Sequence, residues 1–285
     1  MSRGETLVVL AAGRSSRMKR TAEELRGRDA EQARDLPKCL IAVGPRGEPL
    51  LDLILASARA AGLTDAVIVT GPEAEAIRAR YGTREAGNEF QESTVSYAVQ
   101  PAPVGTADAL LQALDQRPEI AGGPVLVVNS DNLYSERALG LLCSARAPNA
   151  FPAYDRDGLG LPPERVAGYA VVKLDASGAL LDLVEKPDAA TIERFRQPDG
   201  RLLVSMNVWR LTPSMIRPFL ESTPPHPVRG ERELPVAVLA MARALSGSVV
   251  GVPISEAVPD LSSAGDIAKV REFLARAASQ RPPGQ

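Results

Sequence analysis

Leu10–Met18 reads LAAGRSSRM, where an apolar run from Leu7 to Ala12 breaks into glycine, hydroxyls and arginines. Gly13 lets the backbone approach a ligand closely, and successive N–H groups in a tight turn can cradle anionic oxygens. Ser15 and Ser16 add hydroxyl donors, and Arg17 adds a planar cationic fork suited to phosphate. The loop lacks the Gly-Lys-Ser/Thr ending of a Walker A motif and is not a Rossmann GxGxxG. A turn of this kind is equally a plain strand exit, so the anion reading needs company. Asp131 follows the apolar VLVVNS and carries a hard carboxylate of the kind Mg²⁺ shares with substrate phosphates and water. Asp131 and Asn132 would also serve as helix caps. Lys38 stands between Pro37 and an apolar run, and Lys186 between Glu185 and Pro187. These short rigid contexts aim an ammonium group, although a solvated surface is a lysine's usual place. Gln100 precedes Pro101, where its amide can offer a donor and an acceptor to a base edge. Gly105 would let a base lie against backbone, or simply start a helix.

The elements that would carry these residues alternate. Thr6–Ala12 predicts a buried strand and Cys39–Val43 a second short one. A helix follows Pro49, with Leu51, Ile54, Leu55 and Ala58 on one face and Gly62 at its end. Strand Ala66–Thr70, helix Pro72–Tyr81, strand Thr94–Val99, helix Thr106–Leu114 and strand Pro124–Asn129 continue the series. Strands alternating with helices imply a parallel sheet covered on both faces, with right-handed crossovers. After about residue 150, strand-like stretches at Arg165–Leu174, Leu180–Val184 and Leu202–Leu211 come closer together and suggest an antiparallel portion. Helices are expected at Pro213–Leu220, Glu231–Ala244 and Ala264–Ala278. Lys19–Leu36 is dense in both charges and nearly free of large apolar residues, a solvated helix or a mobile loop with nothing resembling a core element. Joining two phosphate-contact candidates, it could fold over a ligand as a lid. A single domain over residues 1–279 with a frayed tail, 280–285, is expected.

Composition narrows the function classes. Apolar residues make up 45% of the 285-residue chain and aromatics 4%, so the core must be Leu, Val, Ile and Ala. A net charge of -2 gives no reason to expect nucleic acid or an anionic membrane as partner. No run approaches the roughly 18 apolar residues of a membrane span. Cys39 and Cys143, far apart within apolar runs, read as free thiols of a soluble cytoplasmic protein. The single histidine, His226, lies among prolines and excludes a multi-histidine metal site.

LAAGRSSRM, LPKCL, QPAPVGTADAL, VVNSDNLY, LVEKP, RGERELP and PDLSSAGDI occur in that order over nearly the whole chain. In this order they resemble the sugar-phosphate nucleotidylyltransferases, the glucose-1-phosphate thymidylyl- and uridylyltransferases in particular. VSMNVWRLTPSM is similar to a stretch in other nucleotidyltransferases. The resemblance implies a Rossmann-like three-layer α/β/α fold with a mixed, mostly parallel sheet. It implies the Mg²⁺-dependent reaction of an NTP with a sugar 1-phosphate to give an NDP-sugar and pyrophosphate. Ala11, Ala12, Gly13, Ser15 and Ser16 would then hold the nucleotide, with Gln100, Gly105 and Thr106 at the base. Arg17 and Lys38 would meet the triphosphate, and Asp131 and Asp260 would hold Mg²⁺. Glu185 and Glu231 would contact sugar hydroxyls, while Lys186 and Asn132 belong to the sugar-phosphate end. Departures are the long separation of Arg17 from Lys38, Ser262 where glycine is common, Ala170 in place of a glycine, and Met206–Asn207 in place of a small pair. Asp260 and Asp266 remain equal candidates for capping the last helix. No acyltransferase-like C-terminal extension is present, which predicts a single function; a homo-oligomer is compatible with all of this. Transfer to a non-sugar phosphate acceptor and an idle nucleotide-sugar binder are the competing readings.

Overall fold

The structure is a computed structural model that describes residues 5–160 and 168–279. Its centre is β1 (Thr6–Leu10), which pairs in parallel with β2 (Asp65–Thr70) on one side and β5 (Val125–Asn129) on the other. Five consecutive apolar or β-branched residues are what a strand buried on both faces requires. Successive side chains leave opposite faces of a strand. Leu7 and Val9 therefore join an apolar cluster with Ile54 of the helix Leu50–Ala60 and Leu139 of the helix Glu136–Cys143. Val8 and Leu10 join a second cluster with Leu110 of the helix Thr106–Gln116 and Met241 of the helix Leu234–Ala244. Helices thus cover both faces, giving the three layers expected from the alternating elements.

β3 (Asn88–Phe90) forms a hairpin with β4 (Ser93–Val99) at one edge, and β4 runs parallel to β2. Beyond β5 the sheet turns antiparallel through β6 (Asn149–Asp155), β7 (Ala170–Leu174), β8 (Leu180–Val184), β9 (Leu203–Ser205) and β10 (Val208–Leu211). The order is β3-β4-β2-β1-β5-β10-β6-β9-β7-β8, with β11 (Val249–Ile254) added in parallel to β6. The parallel pairings are the longer ones, and the sheet is mixed as expected.

Several expectations need correction. Cys39–Val43 is not a strand: Lys38–Leu40 is a single 3₁₀ turn, and Ala42 makes only an isolated bridge to Pro49. The stretch Leu202–Leu211 is two strands, because Asn207 takes a left-handed conformation with φ 56° between them. The charged segment 19–36 is not devoid of core contacts. It forms the end of the helix Ser16–Thr21 and the helix Gly27–Asp35, and it buries Ala22, Gln32 and Ala33. Gln32 Oε1 accepts from the Ala42 N–H at 2.9 Å, and Asp29 takes both ends of the Arg271 guanidinium at 2.7 and 2.8 Å. Of the predicted strand Arg165–Leu174, residues 165–167 lie outside the described residues, as does the tail 280–285. Among the described residues no helix is long and apolar enough to cross a membrane.

Candidate functional site

Four parallel strands, β1, β2, β4 and β5, end on the same edge of the sheet, where ligands of open α/β folds bind. Over that edge lies a cleft of about 700 Å³. Its walls include Ala11, Ala12, Gly13, Ser15 and Ser16 after β1, Lys38, Gln100, Gly105 and Thr106 around the end of β4, and Asp131 after β5. Glu185 and Glu231 line it as well. The structure therefore brings together twelve of the residues singled out by sequence.

The Ala11–Ser16 turn has a local cause for its shape. Ser15 is left-handed at φ 55°, ahead of the helix Ser16–Thr21, and its hydroxyl accepts from the Lys38 N–H at 3.3 Å. The turn is thereby tied to the segment that carries Lys38. Arg14 lines the cleft, a residue passed over in the sequence. Arg17 is exposed on the first turn of the helix and is not part of the lining.

Lys38 Nζ donates to Asp131 Oδ2 at 3.0 Å, with both side chains largely covered. Asp131 lies next to Asp260 along the backbone: Asn132 bridges Asp260, the Leu261 N–H donates to Asp131 O at 2.8 Å, and the Leu133 N–H donates to Pro259 O at 2.9 Å. The Ser262 hydroxyl donates to Asp260 at 2.8 Å, and the Tyr169 hydroxyl donates to it at 3.4 Å. Ser262, a departure from the family pattern, thus steadies the carboxylate two positions before it. Asp266, the first residue of the helix Asp266–Ser279, instead accepts from the Ser263 N–H and Oγ. That division separates the two candidate carboxylates: Asp266 holds the turn that enters the last helix, and Asp260 sits beside Asp131. Asn132 is buried in the bridge, and neither it nor Asp260 is among the residues that line the cleft.

Gln100 is buried, and its Nε2 donates to Gly105 O and to Asp108 Oδ2, both at 2.9 Å. Gly105 has φ 114°, and a Cβ there would meet Arg232 O at 2.2 Å. Only glycine fits this close approach. Arg232 N–H donates to Val104 O at 2.7 Å, and the Leu234 N–H donates to Thr106 Oγ1 at 2.9 Å. The segment RGERELP is so stitched onto PVGT, which brings Arg229, Glu231 and Glu233 into the cleft.

Burial and the Glu233 charge push the Glu185 carboxyl above its ordinary value, with Arg229 pulling the other way. Burial drives the Cys39 thiol up to about 12 and Cys143 to about 11, so neither is a ready nucleophile. Lys186, next to Glu185, is left-handed at φ 46° and exposed, outside the lining. Sequence reading missed Arg229 and Glu233 as site residues, although the RGERELP motif contained them, and it noted Asn207 only as a departure.

A glycine-containing turn, a lysine and a carboxylate thus meet at the carboxyl edge of a mixed three-layer α/β sheet. Residues 33–243 match the Nucleotidyl transferase family, and the chain belongs to that family. The match begins after the Ala11–Ser16 turn. The chain is 33% identical over 192 residues to the Bifunctional protein GlmU of Symbiobacterium thermophilum, covering 66% of this chain and 34% of that protein. It is 27% identical over 270 residues to the Bifunctional protein GlmU of Maricaulis maris, covering 94% of this chain and 52% of that protein. The chain thus spans a third to a half of the length of these relatives. A crystal structure of UDP-glucose pyrophosphorylase complexed with UDP-glucose superposes with TM-score 0.70 at 17% identity, over 96% of this chain and 100% of the other. At that identity the likeness concerns the fold, and it agrees with the nucleotide-diphospho-sugar transferase architecture read from the motifs.

Proposed function

We propose that the chain condenses an NTP with a sugar 1-phosphate, giving an NDP-sugar and pyrophosphate. An oxygen of the acceptor phosphate attacks the α-phosphorus in line, the new P–O bond forms, and the bond to the β-phosphate oxygen breaks. Two polyanions must meet, so the protein's work is placement and charge control. The Ala11–Ser16 turn holds the triphosphate with its N–H groups and hydroxyls. Lys38 and Arg14 offset its charge, with Arg17 and Lys186 at the rims. The Gln100 donors are engaged within the protein, so its carbonyl oxygen is left to accept from a base N–H, while Gly105 provides a flat backbone surface. Glu185 and Glu231 take sugar hydroxyls. Asp131 and Asp260, two hard carboxylates on adjacent backbone segments, are the donor set that fits Mg²⁺, with phosphates and water completing the shell. Bound there, Mg²⁺ would supply electrostatic stabilisation of charge growing on pyrophosphate.

The observation that carries this reading is the convergence in one cleft of Gly13, Lys38 and Asp131 with Glu185 and Glu231. A pyrophosphate-release screen of UTP, dTTP, CTP, ATP and GTP against a panel of sugar 1-phosphates tests it. Turnover is expected with one base class. Tight binding of an NDP-sugar with no turnover for any pair would replace the enzyme by an idle binding relative.

A further inference from the structure

Asp108 is half-buried on the first turn of the helix Thr106–Gln116 and is not among the residues that line the cleft. Among the described residues it pairs with no cation, and its side-chain partner is the Gln100 amide. Gln100, by contrast, is buried and does line the cleft. Its Nε2 donates both to Asp108 Oδ2 and to Gly105 O, each at 2.9 Å. A carboxylate and a backbone carbonyl can only accept. The side-chain NH2 must therefore face them, and both of its hydrogens are used. Turned over, the amide would set Oε1 against two acceptors, one of them charged, so its partners decide which way round it stands.

Both ends of this bond are held from outside it. The Gln100 N–H donates to Thr70 O at 2.8 Å, and Pro101 follows directly. At the start of the helix, the Ala107 N–H donates to Arg232 O at 2.9 Å and Thr106 Oγ1 accepts from the Leu234 N–H at 2.9 Å. Gln100 Oε1 accepts no hydrogen bond among the described residues, and unlike Asn207 Oδ1 and the Trp209 indole nitrogen it is not enclosed. The amide therefore offers the cleft an acceptor and no donor.

We propose that Asp108 is a positioning residue for base selection. By holding the Gln100 amide one way round, it restricts the nucleotide to bases with a ring N–H on the pairing edge, namely uracil, thymine or guanine. Cytosine and adenine present a ring lone pair there, and set against Oε1 it would leave two acceptors facing each other. The inference rests on the reading above, which puts Gln100 at the base. Asp108 itself touches no ligand and acts through Gln100.

The test measures kcat/KM for UTP, dTTP, GTP, CTP and ATP, with Mg²⁺ and the acceptor chosen by the screen, in the wild type and in Asp108 variants. The best of the three ring N–H bases is expected to exceed both CTP and ATP at least tenfold. Asp108→Ala should cut that ratio several-fold, mainly through KM, whereas Asp108→Glu, which still can only accept, should keep most of it. Asp108→Asn, whose amide can turn either face to Gln100, should fall between them, and it keeps the test open if the Ala variant folds poorly. In a Gln100→Ala background, where the base reader is gone, Asp108→Ala should leave the ratio unchanged. A merely structural Asp108 would lower every nucleotide by the same factor in both backgrounds. That result, or a wild-type ratio in both the Ala and Asn variants, overturns the positioning role. Equal use of all bases, or a preference for CTP or ATP, overturns the base selection while leaving the transferase intact. If no pair turns over, the transferase reading fails by itself, and calorimetric Kd values for the corresponding nucleoside diphosphates decide by the same ratio in the same variants. Absence of binding by all of them overturns the inference as well.

Discussion

Asp131 holds two partners in prospect and one in hand. Its carboxylate accepts from Lys38 at 3.0 Å, and its backbone is fixed against Leu261. Its geometry is therefore set before any ligand arrives, as electrostatic catalysis requires. Asp131→Asn keeps the shape and removes the charge, and it should lower kcat by roughly 10²–10³. Because the lost interaction strengthens as pyrophosphate departs, nucleotide affinity measured without metal should change little. Steady-state kinetics alongside nucleotide titration would check both halves, and a fully active variant would move the metal site elsewhere. Glu185 gives a prediction about pH. Its pKa is raised by burial and by Glu233, so its stability contribution is present at low pH and is lost as pH rises through the folded-state value. At pH 7, above the value of an unfolded glutamate, the raised pKa therefore counts against stability. Glu185→Gln should therefore raise the thermal midpoint at pH 7 and leave it nearly unchanged at pH 4, while acceptor use falls. Thermal melts of both proteins at the two pH values would show it; an equal shift at both would assign the effect to packing. Residue identities such as Gly13, Lys38 and Asp131 could be read in sequence because each stands within two residues of the end of an apolar run or directly after a proline. The Arg229 cluster could not, since its partners Glu185 and Glu233 are far apart in the chain and meet only when RGERELP is stitched to PVGT.

The helix Gly27–Asp35 shows how an element can defeat its own composition. It carries mostly charged residues, yet Ala33 is fully buried and Asp29 grips Arg271 of the last helix. A single small residue per turn is enough to pack when the anchors come from elsewhere in the chain, and no local pattern records those anchors. Asp29→Asn should loosen this helix and speed tryptic cleavage within residues 19–36 several-fold, as read by mass spectrometry of limited digests. If the segment closes over the nucleotide as a lid, NTP with Mg²⁺ should slow cleavage in both proteins. Equal rates with and without nucleotide would leave it a structural strut. Strands Leu180–Val184 and Thr94–Val99 were legible because their apolar runs end in turn residues. β6 was not, because Pro148 and Pro152 argue against a central strand. Pro152 lies between Ala150, which pairs with β10, and Tyr154, which pairs with β9, alongside the break at Met206–Asn207, and on its other side it keeps register with Val252 of β11. The left-handed residue that splits the predicted strand Leu202–Leu211 thus interrupts the pairing next to a proline.

At the scale of the molecule, β10 is the seam between the parallel strands that end in the phosphate loop and the antiparallel strands that end in Glu185. It pairs with β5 on one side and β6 on the other, and it carries Trp209, the only tryptophan of the chain. The indole is fully buried, packs on Phe151 of β6 with ring centroids 5.0 Å apart, and forms part of the cleft wall. A continuous sheet with one apolar cluster on each face gives no plane along which the halves could separate cheaply, so residues 1–279 are expected to unfold as one unit. Trp209 fluorescence reports on the seam, while far-UV ellipticity reports on helices throughout. In urea the two signals should trace a single coincident transition. Trp209→Ala removes a large side chain from both the seam and the cleft, at a cost of about 3–5 kcal/mol for such a truncation. The far-UV transition of that variant should move as a whole to lower urea, with an unchanged slope. Two separated transitions in the wild type, or a variant in which only part of the ellipticity moves, would mean that the nucleotide and acceptor ends of the cleft belong to units that fold apart. The cleft would then be an interface whose geometry shifts with their docking, and acceptor and nucleotide binding would be coupled through that motion.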